Sequence, residues 1–224
     1  KESPLSPLVV QYKDYANWQN QLLFEGGMEE ERKYWTEKLS GDPSPLNLPY
    51  DYPYTQQDRR GRTYRTYLSE ELTNKLNQLA KENRTSLFVL FQAGWASFLS
   101  KLTGKKDIVF GGPVVGRNHH TLKDLIGFFI NTIIFRNKVN GEESFDKLLQ
   151  RVRNNALEMM KYQTYPFDML VDELNLPQKS NQPTLTSVFF NMRNFGLVKD
   201  VRVDDIESIH LEKEQQMKFD FELV

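Results

Sequence analysis

Residues 86–102, SLFVLFQAGWASFLSKL, restrict the possible folds more than any other stretch. The segment is apolar nearly all round, so as a helix it must be covered on most of its sides. Thr85 stands at the N-cap position, and Gly104 lies just past the end, where a left-handed residue closes a helix. DIVFGG (107–112) follows as a buried strand pattern, and FFINTIIFRNKV (128–139) repeats its style. A buried helix beside buried strands belongs to a layered α/β fold.

The other segments agree. Residues 10–24 place Tyr12, Tyr15, Trp18 and Leu22 at helical spacing, and Glu29–Leu39 reads as a second helix. Gly41, Pro43, Pro45 and Pro49 end it and open a long loop. Thr63–Leu68 reads as a strand, and Ser69 caps a helix running to Glu82, with Glu70 and Glu71 in its first turn. Ser144 caps FDKLLQRVRNNALEMMKY, whose Phe145, Leu148, Leu149, Val152, Ala156 and Met159 share one face. Tyr165-Pro166 breaks it, and FDMLVDEL makes a short helix. SVFFNMRNF, IESIHLEKE and KFDFELV read as strands. Helices and strands interleave, which predicts an α/β class with a mixed β-sheet flanked by helices.

Composition removes several functions. The 224 residues carry a net charge of −1, no long-range attraction for nucleic acid or an anionic membrane. No apolar run approaches the roughly 18 residues of a membrane span, and KESPLSPLVVQYKDY lacks the regions of a signal peptide, so a cytoplasmic location is expected. The absence of cysteine excludes disulfides, thiolate metal sites and cysteine nucleophiles. Three histidines are too few for a histidine-rich metal site, and no metal is expected. Pro4 and Pro7 give the start a linker character, and the chain closes on a strand pattern, so a piece of a larger protein is expected.

The segments with chemical promise are few. GGPVVGRN (111–118) nearly spells a phosphate loop, but Arg117 and Asn118 replace the required lysine and hydroxyl residue. Pro113 also removes a backbone N–H that would cradle phosphate. Its glycines instead let a backbone or a ligand come close. His119-His120-x-x-x-Asp124 suggests acid–base chemistry. Adjacent side chains diverge by about 100° on a helix and oppose each other on a strand, so both imidazoles cannot face one atom. A surface turn is the simpler reading. Asn131 and Thr132 are polar within the apolar run IGFFINTIIF, where burial is costly without hydrogen bonds, so one of them is a candidate for the wall of a pocket.

Several segments, in one order, resemble the condensation domains of nonribosomal peptide synthetases. They are YKDYANWQ (12–19), Tyr34-Trp35, GGPVVGRN (111–118), IGFFINTIIFR (126–136), YQTYPFDMLVDEL (162–174) and NQPTLTSVFFNMRN (181–194). The first, fourth and fifth are similar to the signatures Y-x-D-Y-A-x-W-Q, I-G-x-F-V-N-T-x-x-x-R and H-Q-x-Y-P-F-E-x-L-V-D. The resemblance implies a two-lobed fold similar to chloramphenicol acetyltransferase. In it a tunnel between the lobes brings together two thioesters, each on the phosphopantetheine arm of a carrier protein. The downstream amine attacks the upstream thioester. Implied partners are upstream and downstream peptidyl carrier proteins and an adjacent adenylation domain. The catalytic motif, H-H-x-x-x-D-G, belongs to the N-terminal lobe and precedes Y-x-D-Y-A-x-W-Q. Here the histidine pair follows that motif by about a hundred residues, and Leu125 replaces the glycine, so it is a coincidence. By this resemblance residues 1–224 are a C-terminal lobe, inactive alone, with the N-terminal lobe and any further chain outside it.

The resemblance also distributes roles. Gly111, Gly112, Pro113, Gly116 and Arg117 are expected in a loop crossing beneath the site toward the other lobe, and Asn131 and Thr132 on the tunnel wall, with Asn131 facing the arm. Tyr12, Asp14, Trp18 and Gln19 are expected at the lobe junction, Arg136 in a structural ion pair, and Tyr165, Pro166 and Phe167 in packing. Tyr162 departs from the family's histidine, and Pro177–Thr186 departs from its R-D-x-S-R-N-P-L-x-Q stretch. A lobe that only docks carrier proteins, an acyltransferase using coenzyme A or an alcohol acceptor, and an epimerisation domain are the alternatives.

Overall fold

The apolar helix is Leu87–Thr103 (α4) in a computed structural model of the chain. The structure describes residues 7–41, 43, 46–51, 60–176, 185–193, 215–216 and 219–224. Val89, Leu90, Ala93, Trp95, Ala96 and Leu99 of α4 are all buried. Ser86, not Thr85, is the N-cap: its hydroxyl accepts from the Val89 N–H at 3.3 Å. Thr85 instead closes the preceding helix, Glu70–Glu82 (α3), by donating its own N–H to the Ala80 carbonyl at 2.9 Å. Gly104, at φ +70°, ends α4 as expected.

Beneath α4 lies a four-stranded mixed sheet in the order β3-β2-β4-β6. These strands are Asp107–Val114 (β2), Asn131–Lys138 (β3), Val188–Phe190 (β4) and Phe221–Leu223 (β6). β2 and β3 are antiparallel from Asp107↔Lys138 to Val114↔Asn131, whereas β4 runs parallel to both β2 and β6. α4 crosses this sheet on its aromatic side chains. Phe88 lies 5.4 Å from the Phe190 ring and 6.0 Å from Phe135, and Trp95 lies 4.8 Å from Phe221. The long helix Phe145–Lys161 (α5) buries Leu148, Leu149, Val152, Ala156 and Met159 against α4 and β3, while Phe145 at its first turn stays exposed. α5 also binds the β3 backbone: Asn155 donates to the Arg136 carbonyl and Arg151 to that of Lys138, each at 2.7 Å. Side chains thus occupy an edge that would otherwise invite another strand.

Helices Tyr12–Phe24 (α1), Glu29–Lys38 (α2) and Phe167–Leu174 (α6) complete the described helices. Arg136 ties α2 to the sheet. Its guanidinium forms a forked ion pair with Asp107 (2.7 and 3.1 Å) and donates to the Lys38 and Ser40 carbonyls at 3.1 and 2.6 Å. A cation here also meets the negative end of the α2 dipole.

Thr63–Leu68 is not a strand. The strand that is formed lies just before it, Arg60–Gly61 (β1), paired antiparallel with Gln215–Gln216 (β5). Tyr64 and Tyr67 are each 91% exposed. Their strand propensity reflects fit to a half-buried pleated surface, and these side chains have none to pack on. The strands expected over 187–195 and 218–224 are shorter, and β3 begins at Asn131 rather than Phe128. IESIHLEKE, residues 177–184 and residues 1–6 lie outside the described residues.

Gln92 is fully buried in α4, and neither its amide nitrogen nor its oxygen has a partner among the described residues. Leaving such groups unpaired costs about 1–3 kcal/mol. Gln92→Met keeps the shape and removes the polar atoms, so calorimetry should show the melting temperature rising by roughly 2–4 °C per kcal/mol recovered. A lower melting temperature would show that the amide is satisfied.

Candidate functional site

α1 has no buried residue, and only Leu22 and Leu23 reach the main core. Its first turns dock instead on the connection between β2 and β3. A second apolar cluster forms there from Leu122, Leu125 and Phe129, with Val10 and Tyr15 packed against it. Phe129 is its hub, 5.2 Å from the Tyr12 ring, 4.8 Å from Tyr15, and 4.2 Å below the Arg117 guanidinium. Arg117 also donates to the Leu122 carbonyl, and the Tyr12 hydroxyl to that of Phe128 at 2.9 Å. Asp14 caps α1 by accepting from the Gln11 N–H at 2.9 Å. Two glycines permit the close approach. A side chain on Gly127 would strike the Tyr12 ring, and one on Gly116, at φ +69°, would strike the Phe129 carbonyl.

Between α1 and this connection opens a cavity of about 400 Å³. Trp18, Met28 and Leu122 give it an apolar wall, and Gln19, Asn118 and Thr164 add polar groups. That size falls within the range of small-molecule pockets. Asp14, Trp18, Gln19 and Gly116, singled out from sequence, all meet here. Asn118 and Thr164 were missed as lining residues. Both lie inside quoted motifs, but nothing in their spacing shows that they share a wall.

Asn131 does not have the role expected for it. Its amide donates to the Gln163 and Tyr165 carbonyls at 2.9 and 2.7 Å, and its oxygen accepts from the Thr132 and Phe167 N–H groups at 2.9 and 3.1 Å. All four hydrogen-bonding positions are filled within the chain, which leaves no donor for a pantetheine amide. Asn131 clamps the corner between α5 and α6. Trp35 supports the same corner, its indole donating to the Tyr162 carbonyl at 2.8 Å, and Tyr34 stacks on Tyr162 at 4.2 Å. Burial, then the Glu158 carboxylate, pushes the Tyr34 hydroxyl well above the usual tyrosine range. Tyr165 is buried, Pro166 is the N-cap residue of α6, and Phe167 packs on the core.

The 111–117 segment also differs from the loop expected. Gly111, Gly112 and Pro113 lie within β2, and only the residues after Val114 leave the sheet. A Cβ on Gly111 would sit 2.8 Å from the Phe189 ring, and one on Gly112 would sit 2.5 Å from Phe135 and 2.8 Å from the Phe190 carbonyl oxygen. These glycines admit neighbouring strands rather than a ligand. Thr132, half-buried, pairs with Pro113 across the ladder.

His119, His120 and Asp124 are exposed, and His119, with Thr121, also lines the cavity, whereas His120 and Asp124 do not. His119 Nδ1 lies 2.8 Å from the Thr121 hydroxyl and accepts from the Thr121 N–H at 3.4 Å, capping the 3-10 turn His120–Leu122. Beside this turn, Val115, Ile126, Phe128 and Ile130 are 60%, 96%, 75% and 56% exposed, an apolar strip along one connection. Such a strip marks a contact surface. Among the described residues no cluster of three or more His, Cys, Asp and Glu could hold a metal, and no helix is long and apolar enough to cross a membrane.

Residues 1–224 match the profile of the condensation domain family. The chain is 35% identical over 228 residues to bacitracin synthase 2 of Bacillus licheniformis, covering 100% of this chain and 9% of that protein. It is 33% identical over 223 residues to malpibaldin synthetase of Mortierella alpina, covering 99% of this chain and 4% of that protein. Its fold is similar to the X-domain from teicoplanin biosynthesis, with TM-score 0.76, 22% identity, and 84% and 43% of the two chains covered. It is similar also to the first condensation domain of the CDA synthetase, with TM-score 0.64, 22% identity, and 80% and 38% covered. The fold class shared with these structures is the chloramphenicol acetyltransferase-like α/β fold expected from the sequence. The chain spans a small fraction of the curated relatives it matches and less than half of these solved chains. By its sequence over every residue, the chain belongs to the condensation domain family.

Proposed function

We propose that these residues are the C-terminal lobe of a two-lobed condensation domain that joins two carrier-bound thioester substrates through an amide. The observation that carries this reading is the family match over the whole chain, together with its coverage of only 43% and 38% of two solved chains of the fold. The apolar strip at Val115, Ile126, Phe128 and Ile130 supports it, as a face suited to a second lobe.

The acceptor amine nitrogen bonds to the donor carbonyl carbon, the carbon–sulfur bond breaks, and the thiolate leaves on the donor's phosphopantetheine arm. The amine proton passes to an imidazole of the other lobe, in the H-H-x-x-x-D-G motif. The arms arrive as parts of the substrates, on peptidyl carrier proteins whose amino acids an adenylation domain activates. This lobe contributes shape. Holding two tethered reactants in line and excluding water is worth roughly 7–11 kcal/mol of barrier. The cavity wall of Trp18, Gln19 and Thr164, and the end of the β2/β3 ladder at Thr132, supply one side of that enclosure.

Mixed with carrier-loaded donor and acceptor, this chain alone should form no peptide, whereas the same residues fused to their upstream lobe should. Product from the chain alone, measured by mass spectrometry above the blank, overturns the reading. The isolated chain should also self-associate through the exposed strip. Ile126→Ser with Phe128→Ser should then shift it toward monomer in sedimentation velocity, and an unchanged distribution argues against that face.

A further inference from the structure

Asn131 grips the backbone on both sides of one residue. Its amide donates to the carbonyls of Gln163 and Tyr165, and between them sits Thr164, which lines the cavity. Its oxygen holds the Phe167 N–H two residues beyond Tyr165, so the turn cannot shift along the chain without breaking hydrogen bonds. The other end of the clamp is the start of β3, opposite Val114 at the end of β2, the strand that leads to Gly116 on the same cavity. Thr164 is half-buried, and its hydroxyl has no partner among the described residues. A hydroxyl free to bond, in a mainly apolar wall, suits contact with a ligand amide.

We infer that Asn131 is a positioning residue for the proposed condensation reaction, acting by fixing Thr164, whose hydroxyl hydrogen-bonds a carrier-tethered substrate in the cavity beside α1. The inference rests on the function proposed above. It moves the polar contact with substrate from Asn131 to Thr164.

The test is a double-mutant cycle in the whole two-lobed domain, using Asn131→Asp, Thr164→Val and the pair. Asn131→Asp keeps the shape but turns an oxygen toward two carbonyl oxygens, which pushes the corner away. Thr164→Val removes only the hydroxyl from a half-buried site and should leave the melting temperature unchanged. Thr164→Val should raise KM for one of the two carrier-bound substrates about threefold to tenfold with kcat little changed, as loss of one neutral hydrogen bond does. Asn131→Asp should lower kcat/KM about tenfold or more, since small misplacements at a reacting site are costly. The pair should be no worse than Asn131→Asp alone, because the hydroxyl is already out of place. Additive losses, or a Thr164→Val variant equal to wild type, overturn the inference while leaving an active wild type to support the proposed function. A wild-type domain that makes no amide from any carrier-loaded pair overturns both.

Discussion

The burial of α4 is the constraint from which the rest of the chain follows. A helix apolar on nearly every side has to be enclosed, and here the mixed sheet and α5 enclose it. The aromatic contacts at Phe88 and Trp95 span the sheet from β3 to β6. Once that layer is set, the ends of β2 and β3 must project at one side of the molecule. The connection between them carries the residues of the candidate site. Arg136 adds a second anchor, holding the end of α2 to the same strands and keeping Trp35 behind the α5–α6 corner.

The candidate site is a separate small assembly built on Phe129. It has its own apolar cluster, its own glycines and a cation over its hub ring, and it holds α1, which buries no residue of its own. Two motifs distant in sequence, YKDYANWQ and IGFFINT, therefore form one object. Tyr12 and Gly127 meet because only a glycine leaves room for the ring. Several motif residues thus serve to join the motifs to one another. Some of the same residues, Asp14, Tyr15 and Leu122 among them, also line the cavity, beside Trp18, Gln19, Asn118 and Thr164.

Much of this was readable from the residues because it is local. The α5 face follows from periodicity, and Gly104 from its place after an apolar helix. Reading Thr85 for Ser86 erred by one residue, since either can cap and only the end of α3 decides between them. Thr63–Leu68 misled because propensity cannot say whether a partner strand is at hand. Asn131 shows the deeper limit. A polar residue in an apolar run announces that its hydrogen bonds matter. Three of its four partners lie 32 to 36 residues away, so sequence could not say whether they belong to the chain or to a ligand. The glycines of β2 likewise announced a close approach without saying that Phe189 and Phe190 make it.

The central claim is that the exposed strip beside the cavity is the inner face of a two-lobed enclosure. Hydrogen–deuterium exchange on residues 115–130, compared between this chain alone and the same chain joined to its upstream lobe, tests it most directly. The account predicts that amides around Ile126, Phe128 and Ile130 exchange freely in the first sample and are strongly protected in the second. Equal exchange in both samples, with the upstream lobe folded, would contradict it.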